Sequence, residues 1–150
     1  MINEKSSMNL THRIFFINQD GERGMRKVMV VDDNPDHLQT IKQTLEKMGD
    51  EYKIISASNG VSCIKLLANQ EIPDLILLDI MMPKMNGWET FKKIQENPEW
   101  KNIPVVFLTA RTDEFAESAG KFLATDYIIK PFDVEDFRKR IEVIFEKMDS

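Results

Sequence analysis

Four apolar residues, Leu75-Ile76-Leu77-Leu78, run without a break into one carboxylate, Asp79, and Pro83 and Gly87 punctuate the chain directly afterwards. An apolar run of this length between breakers reads as a strand buried on both faces, the kind found in parallel sheets covered by helices. Parallel strands need a crossover between them, so the rest of the chain is constrained to alternate strand with helix. Asp79 then sits where a buried strand leaves the core. In open α/β sheets that carboxyl edge is where ligands bind. A carboxylate needing only solvation could stand anywhere on the surface, so this one is a site candidate.

The remaining sequence alternates as required. Val28-Met29-Val30-Val31 is an apolar run ending at Asp32-Asp33. Asn34 is placed to cap a helix with Pro35 at its first position, and Leu38, Ile41, Leu45 and Met48 follow at helical spacing up to Gly49. Tyr52 to Ala57 is a less apolar strand, expected near a sheet edge. Asn59-Gly60 turns into a helix carrying Val61, Ile64, Leu67 and Ala68, with Cys63 beside its stripe. Trp88, Phe91 and Ile94 mark a third helix stopped before Pro98, and Ile103 to Leu108 a fourth strand. Thr112-Asp113 can cap a helix bearing Phe115, Ala116, Ala119 and Phe122, and Tyr127 to Ile129 is the fifth strand. The last helix has Asp133 as cap, Phe132 and Phe137 as a hydrophobic staple, and Val134, Phe137, Ile141, Ile144 and Phe145 as its buried stripe. Strands and helices at this spacing predict an α/β doubly wound (βα)5 sandwich around a five-stranded parallel sheet.

Residues 25–150 form the predicted domain. Residues 1–24 are expected to be a poorly ordered extension; the sharper expectation is that Ile14 to Ile17 adds an edge strand or contacts a second copy, and Met25 is a second candidate start. A net charge of −5 argues against a polyanionic partner such as nucleic acid. Cys63 is the only cysteine, which excludes an internal disulfide framework and a thiolate metal cluster. Ile14 to Ile17 is too short for a signal core or a membrane span, so the cytoplasm is expected.

The strand ends carry the chemistry. Asp32 and Asp33 follow the first apolar run, Asp79 ends the third, Thr109 and Ala110 follow the fourth, and Lys130 and Pro131 follow the fifth. Neighbouring strand ends lie side by side, so three carboxylates, one hydroxyl and one ammonium should converge. Packed carboxylates repel unless a cation is present. Oxygen-only ligands suit a hard divalent ion, with Mg²⁺ (or Mn²⁺) the expected choice. A metal, a lysine and a hydroxyl around one free carboxylate oxygen suit a phosphoryl group, with the carboxylate as nucleophile and an aspartyl phosphate as product.

These residues resemble the receiver domains of two-component response regulators, of the stand-alone chemotaxis-regulator type. The resemblance rests on Val31-Asp32-Asp33-Asn34-Pro35, Leu78-Asp79-Ile80-Met81-Met82-Pro83 with Gly87, Leu108-Thr109-Ala110, and Asp126-Tyr127-Ile128-Ile129-Lys130-Pro131-Phe132, and spans about residues 26 to 147. It implies a flavodoxin-like sheet of order 2-1-3-4-5 and a phospho-accepting switch rather than an enzyme acting on other substrates. It implies that Asp79 is the phosphoacceptor and that Asp33, Asp79 and the Met81 carbonyl ligate the metal, with Asp32 acting largely through metal-bound water. Lys130, joined to Pro131 by a cis bond, would pair with the phosphoryl oxygens. Thr109 would move to the phosphoryl group and Tyr127 would swing into the space vacated, a two-state element biased by one added dianion. The implied partners are a sensor histidine kinase or phosphotransfer protein upstream and an unidentified protein target downstream. With no DNA-binding or enzymatic output domain expected after Ser150, output is expected to go through a partner protein, phosphoryl relay, or a homodimer formed by the fourth helix, fifth strand and fifth helix.

Two features depart from the family pattern: Leu123-Ala124 stands where receivers often have Gly-Ala, and the stretch from Thr109 to Lys130 looks about one residue short. The positions two beyond Asp79 and Thr109, which tune phosphoryl lifetime in the family, are Met81 and Arg111. His37, in the first turn of a helix, reads as a solvated histidine. An aspartyl-phosphate hydrolase of the haloacid dehalogenase type would carry a second aspartate where this chain has Met81, and a flavodoxin-like cofactor carrier would need a hydroxyl-rich phosphate loop where this chain has Asp32-Asp33. A receiver-fold binding module that works without phosphorylation is the remaining alternative.

Overall fold

A computed structural model of the chain describes residues 16–17, 23–48, 52–110 and 126–149. Five parallel strands form one sheet: β3 (Arg26–Val31), β4 (Tyr52–Ala57), β5 (Leu75–Asp79), β6 (Val105–Thr109) and β7 (Asp126–Ile129), in spatial order β4-β3-β5-β6-β7. This is the expected 2-1-3-4-5 order. Every residue of β5 and β6 is buried, which is why these strands are apolar throughout and lie inside the sheet. β4, with Lys53 and Ser56 exposed, takes an edge as its mixed composition requires. Two short strands, β1 (Phe16–Ile17) and β2 (Arg23–Gly24), pair antiparallel with each other as a separate ribbon instead of extending the main sheet.

Alternate side chains of the strands feed two cores. Met29, Val31, Ile76, Leu78 and Phe107 face α2 (Gly60–Ala68) and α3 (Gly87–Glu96). Val28, Val30, Leu75, Leu77, Val106 and Leu108 face α1 (Pro35–Lys47) and α4 (Val134–Asp149). Right-handed crossovers dictate this split. The chain steps from β3 outward to β4 through α1, then reverses across β3 to β5 through α2, so the two helices fall on opposite faces. The reversal opens a crevice between the carboxyl ends of β3 and β5. Each fully buried leucine or isoleucine here contributes about 1.5–3 kcal/mol.

Local signals set the helix starts. The Asn34 side chain accepts from the Asp36 N–H at 2.8 Å, and that of Asn59 accepts from Ser62 N–H at 2.8 Å. Asn86 and Glu89 form a reciprocal capping box. The Asp133 carboxylate accepts from Asp136 N–H at 3.1 Å, and Phe132 stacks on Phe137 at 4.7 Å, as the staple predicted. Three stripe residues are corrected. Val61 is 39% exposed and Ala68 is exposed, because the α2 face runs through Gly60, Cys63 and Leu67, which places both off the stripe. Val134 is 47% exposed: it lies in the first turn of α4, where Phe132 fills the space against Phe137. The Gly49 stop, the expected helix over Thr112 to Phe122, Arg111 and Leu123-Ala124 lie outside the described residues.

Gly87 ties α3 to the strand end that carries Asp79. Its N–H donates to the Ile80 carbonyl at 2.9 Å. A Cβ there would stand 2.4 Å from the Asp79 carbonyl oxygen and 2.7 Å from the Ile80 Cα, both backbone atoms that cannot swing aside. Gly87→Ala is therefore expected to destabilise the chain by about 1–3 kcal/mol and to weaken the cation binding that the sequence leads one to expect at Asp79. Urea unfolding with and without Mg²⁺ measures both, and an unchanged midpoint would show that the loop relaxes freely.

Candidate functional site

Asp32 is the first residue beyond β3 and is fully buried. Its N–H donates to the Ala57 carbonyl at 3.1 Å, which fixes its backbone to β4. One carboxylate oxygen, Oδ1, accepts from Asn34 N–H at 2.9 Å, so the loop that caps α1 also orients the acid. The other, Oδ2, lies 2.5 Å from Lys130 Nζ and 3.3 Å from His37 Nδ1. Asp33, next in the chain, is exposed.

Asp79 closes β5 and is 6% exposed. Its Oδ1 accepts from Met81 N–H at 3.4 Å, and its Oδ2 lies 3.9 Å from Lys130 Nζ, an ion pair without a hydrogen bond. Lys130 arrives from the far side of the sheet. Its N–H donates to the Thr109 carbonyl at 2.7 Å, and its bond to Pro131 is cis. Thr109 ends β6 and is buried.

One oxygen each of Asp32, Asp33 and Asp79 lies within 4.8 Å of the others. Burial pushes the Asp79 carboxyl up to about 6; the Asp32 charge adds to the rise, while the Lys130 ammonium and the Met81 N–H oppose it. One ammonium does not balance three carboxylates. The donors are all oxygen, they are close enough to share one ion, and their excess negative charge asks for a cation, so the set fits a hard divalent metal.

Asp32, Asp33, Asp79 and Lys130 are thus brought together, with Thr109 at the adjoining strand end. Met81 stands two residues beyond Asp79 and is 57% exposed. Tyr127 stands apart from the cluster, packed against the core under α2 and α3. Its carbonyl accepts from Arg140 Nη1 at 2.7 Å, and Arg140 also reaches Asp126, a tie from α4 to β7 that no sequence motif announced.

His37 lies in the first turn of α1 as expected and carries a contact that its sequence position did not announce. It is partly exposed, as expected, yet its Nδ1 lies 3.0 Å from Lys130 Nζ. The available signal was positional: an Asn cap followed by Pro sets the first turn of α1, and the third residue of that turn reaches back over the loop. His37 and Lys130 also share the wall of a largely apolar pocket of about 350 Å³ with Thr40, Ile41, Pro131 and Phe132.

Residues 28–142 match the family model of the response regulator receiver domain. Protein PilH of Pseudomonas aeruginosa is 35% identical over 121 residues, covering 80% of this chain and 98% of PilH. A probable cyclic di-GMP phosphodiesterase of Vibrio cholerae is 37% identical over 115 residues, which is 76% of this chain but only 25% of that longer protein. Among solved structures, the Vibrio cholerae chemotaxis protein CheY4 superposes with a TM-score of 0.71 at 31% identity, over 81% of this chain and 99% of that one. No helix among the described residues is long and apolar enough to cross a membrane.

Proposed function

The chain belongs to the response regulator receiver family, the phospho-accepting switches of two-component signalling, and from that premise we propose that Asp79 takes a phosphoryl group from a histidine kinase or a phosphotransfer protein. The observation that carries this assignment is a nearly buried carboxylate at the switch point of the sheet, beside two further carboxylates and the ammonium of Lys130. Asp79 Oδ2 would attack phosphorus, forming the O–P bond as the N–P bond of a phosphohistidine breaks, and the departing nitrogen keeps that electron pair, leaving a neutral imidazole whose other nitrogen bears the proton. The Met81 N–H on Oδ1 orients the carboxylate for this. Lys130 and the Thr109 hydroxyl would donate to the transferred oxygens.

Asp32, Asp33, Asp79 and the Met81 carbonyl would hold Mg²⁺ or Mn²⁺, which when bound neutralises charge on the phosphoryl oxygens. Thr109 and Tyr127 would form the switch, and the surface they alter would meet a downstream protein or a second copy of the chain. We place this activity in the cytoplasm, where a kinase and a soluble target are both available.

Intact mass after incubation with acetyl phosphate tests the reading. A gain of one phosphoryl group is expected with Mg²⁺ and none with a chelator. No gain with Mg²⁺ bound would overturn it and favour a module that binds partners unmodified. The elevated Asp79 carboxyl adds a pH signature. Below about pH 6 a proton occupies the group that must hold the ion. Mg²⁺ affinity, followed by calorimetry, should be level above that pH and weaken about tenfold per pH unit beneath it.

A further inference from the structure

We infer that His37 is a positioning residue that holds the Lys130 ammonium in a resting place turned away from Asp79; this rests on the roles given above to Asp79 and Lys130. An ammonium has donors only, so the Nδ1 facing it at 3.0 Å must be the unprotonated ring nitrogen. The opposite assignment, Nδ1–H donating to Asp32 Oδ2 at 3.3 Å, would set an N–H against the ammonium. Lys130 therefore has Asp32 and His37 as hydrogen-bond partners, both from the β3–α1 side, while Asp79 Oδ2 at 3.9 Å is beyond bonding distance. The lysine rises from the end of β7, yet its head is drawn across the cleft towards α1.

The position of His37 follows from the site itself. Asp32 Oδ1 holds the Asn34 N–H, and the Asn34 side chain accepts from the backbone of Asp36 and, at 3.4 Å, of His37. Asp32, Asn34, His37 and Lys130 thus close a ring of contacts. To reach a phosphoryl oxygen on Asp79, Lys130 must leave a partner. Asp32 is fully buried and charged, so abandoning it is costly. The His37 side chain is 45% exposed, so water takes over its nitrogen. The bond to His37 is the one that yields, and it acts as a restraint on phosphoryl capture.

The test uses the full chain, acetyl phosphate and Mg²⁺. His37→Leu removes the acceptor and is expected to speed phosphorylation, at saturating Mg²⁺, roughly five- to tenfold, the worth of one hydrogen bond. His37→Asn, whose side-chain oxygen can stand where Nδ1 stands, is expected to stay within about twofold of wild type. A His37→Leu protein no faster than wild type, or an Asn variant altered as much as the Leu one, overturns the inference. A second readout does not depend on phosphorylation. In ¹⁵N-lysine spectra the Lys130 Nζ resonance should shift in His37→Leu and hold in His37→Asn, and an unmoved resonance overturns the inference by itself. Wild type that takes up no phosphoryl group while this resonance behaves as expected would indict the Asp79 assignment instead.

Discussion

Asp79→Asn protein incubated with Mg²⁺ and acetyl phosphate is expected to gain no phosphoryl group under conditions that modify the wild type fully. The amide has no nucleophilic oxygen of comparable strength, and removing the nucleophile of a covalent mechanism removes nearly all of its rate. Asp32 and Asp33 do not replace it. Asp32 is fully buried with both oxygens engaged, and Asp33 is exposed, while the Met81 N–H is bonded to Asp79. Peptide mapping gives the decisive result: a phosphoryl group found on Asp32 or Asp33 of the variant would show that the acceptor has been misassigned.

The same substitution is expected to stabilise the metal-free protein at neutral pH. The Asp79 carboxyl is raised to about 6, mainly by burial, from an ordinary 3.8. A raised folded value means its stabilising contribution is complete below 3.8 and is lost as pH climbs through 6. At pH 7 without a cation, Asp79 is a charge the fold bears at a cost. Removing it should add about 1 kcal/mol, discounted for residual solvent contact, or a few degrees in Tm. The advantage should vanish towards pH 4. Mg²⁺ should raise the Tm of the wild type much more than that of the variant. A variant less stable than wild type at pH 7 without metal would mean that Asp79 is better compensated than its neighbours suggest.

Most of this architecture was legible because one physical requirement recurs. Strands buried on both faces must be continuously apolar, and Leu75 to Leu78 and Val105 to Leu108 obey it over their whole length. The polar residue that ends each run, Asp79 in one and Thr109 in the other, then fell at a strand end. Asn34, Asn59 and Asp133 marked helix starts because side-chain caps are local and need no tertiary knowledge. What escaped was set by tertiary approach. The α2 face turned towards Gly60, Cys63 and Leu67 because Gly60 meets Thr90 of α3, and no period within α2 contains that fact. The contact of His37 with Lys130 joins residues 93 positions apart. An imidazole in a first helical turn looks the same in sequence whether it faces water or an ammonium.

Lys130→Met should separate electrostatics from chemistry at this site. The ammonium lies 2.5 Å from a fully buried Asp32 and 3.9 Å from Asp79. Methionine keeps a flexible apolar stem, so packing around Pro131 is largely preserved and the charge is lost. Breaking a buried pair by deleting one partner costs about 3–5 kcal/mol, and with Lys130 itself 11% exposed the lower end is expected. That loss should appear in the absence of metal and be mostly recovered in Mg²⁺, because a divalent cation among the same carboxylates supplies the missing counter-charge. At pH 8, where protons compete least, the variant should bind Mg²⁺ about tenfold more tightly, since no lysine competes for Asp32. Phosphorylation by acetyl phosphate should nevertheless fall about 10²-fold, the usual cost of losing one preorganised donor to the developing charge. A cation would replace the charge of Lys130 in the resting fold, but the donor that Lys130 supplies from the end of β7 would still be missing. Tighter metal binding with unimpaired phosphorylation would show that the lysine serves the fold alone, and weaker metal binding would show that it organises the carboxylates more than it competes for them.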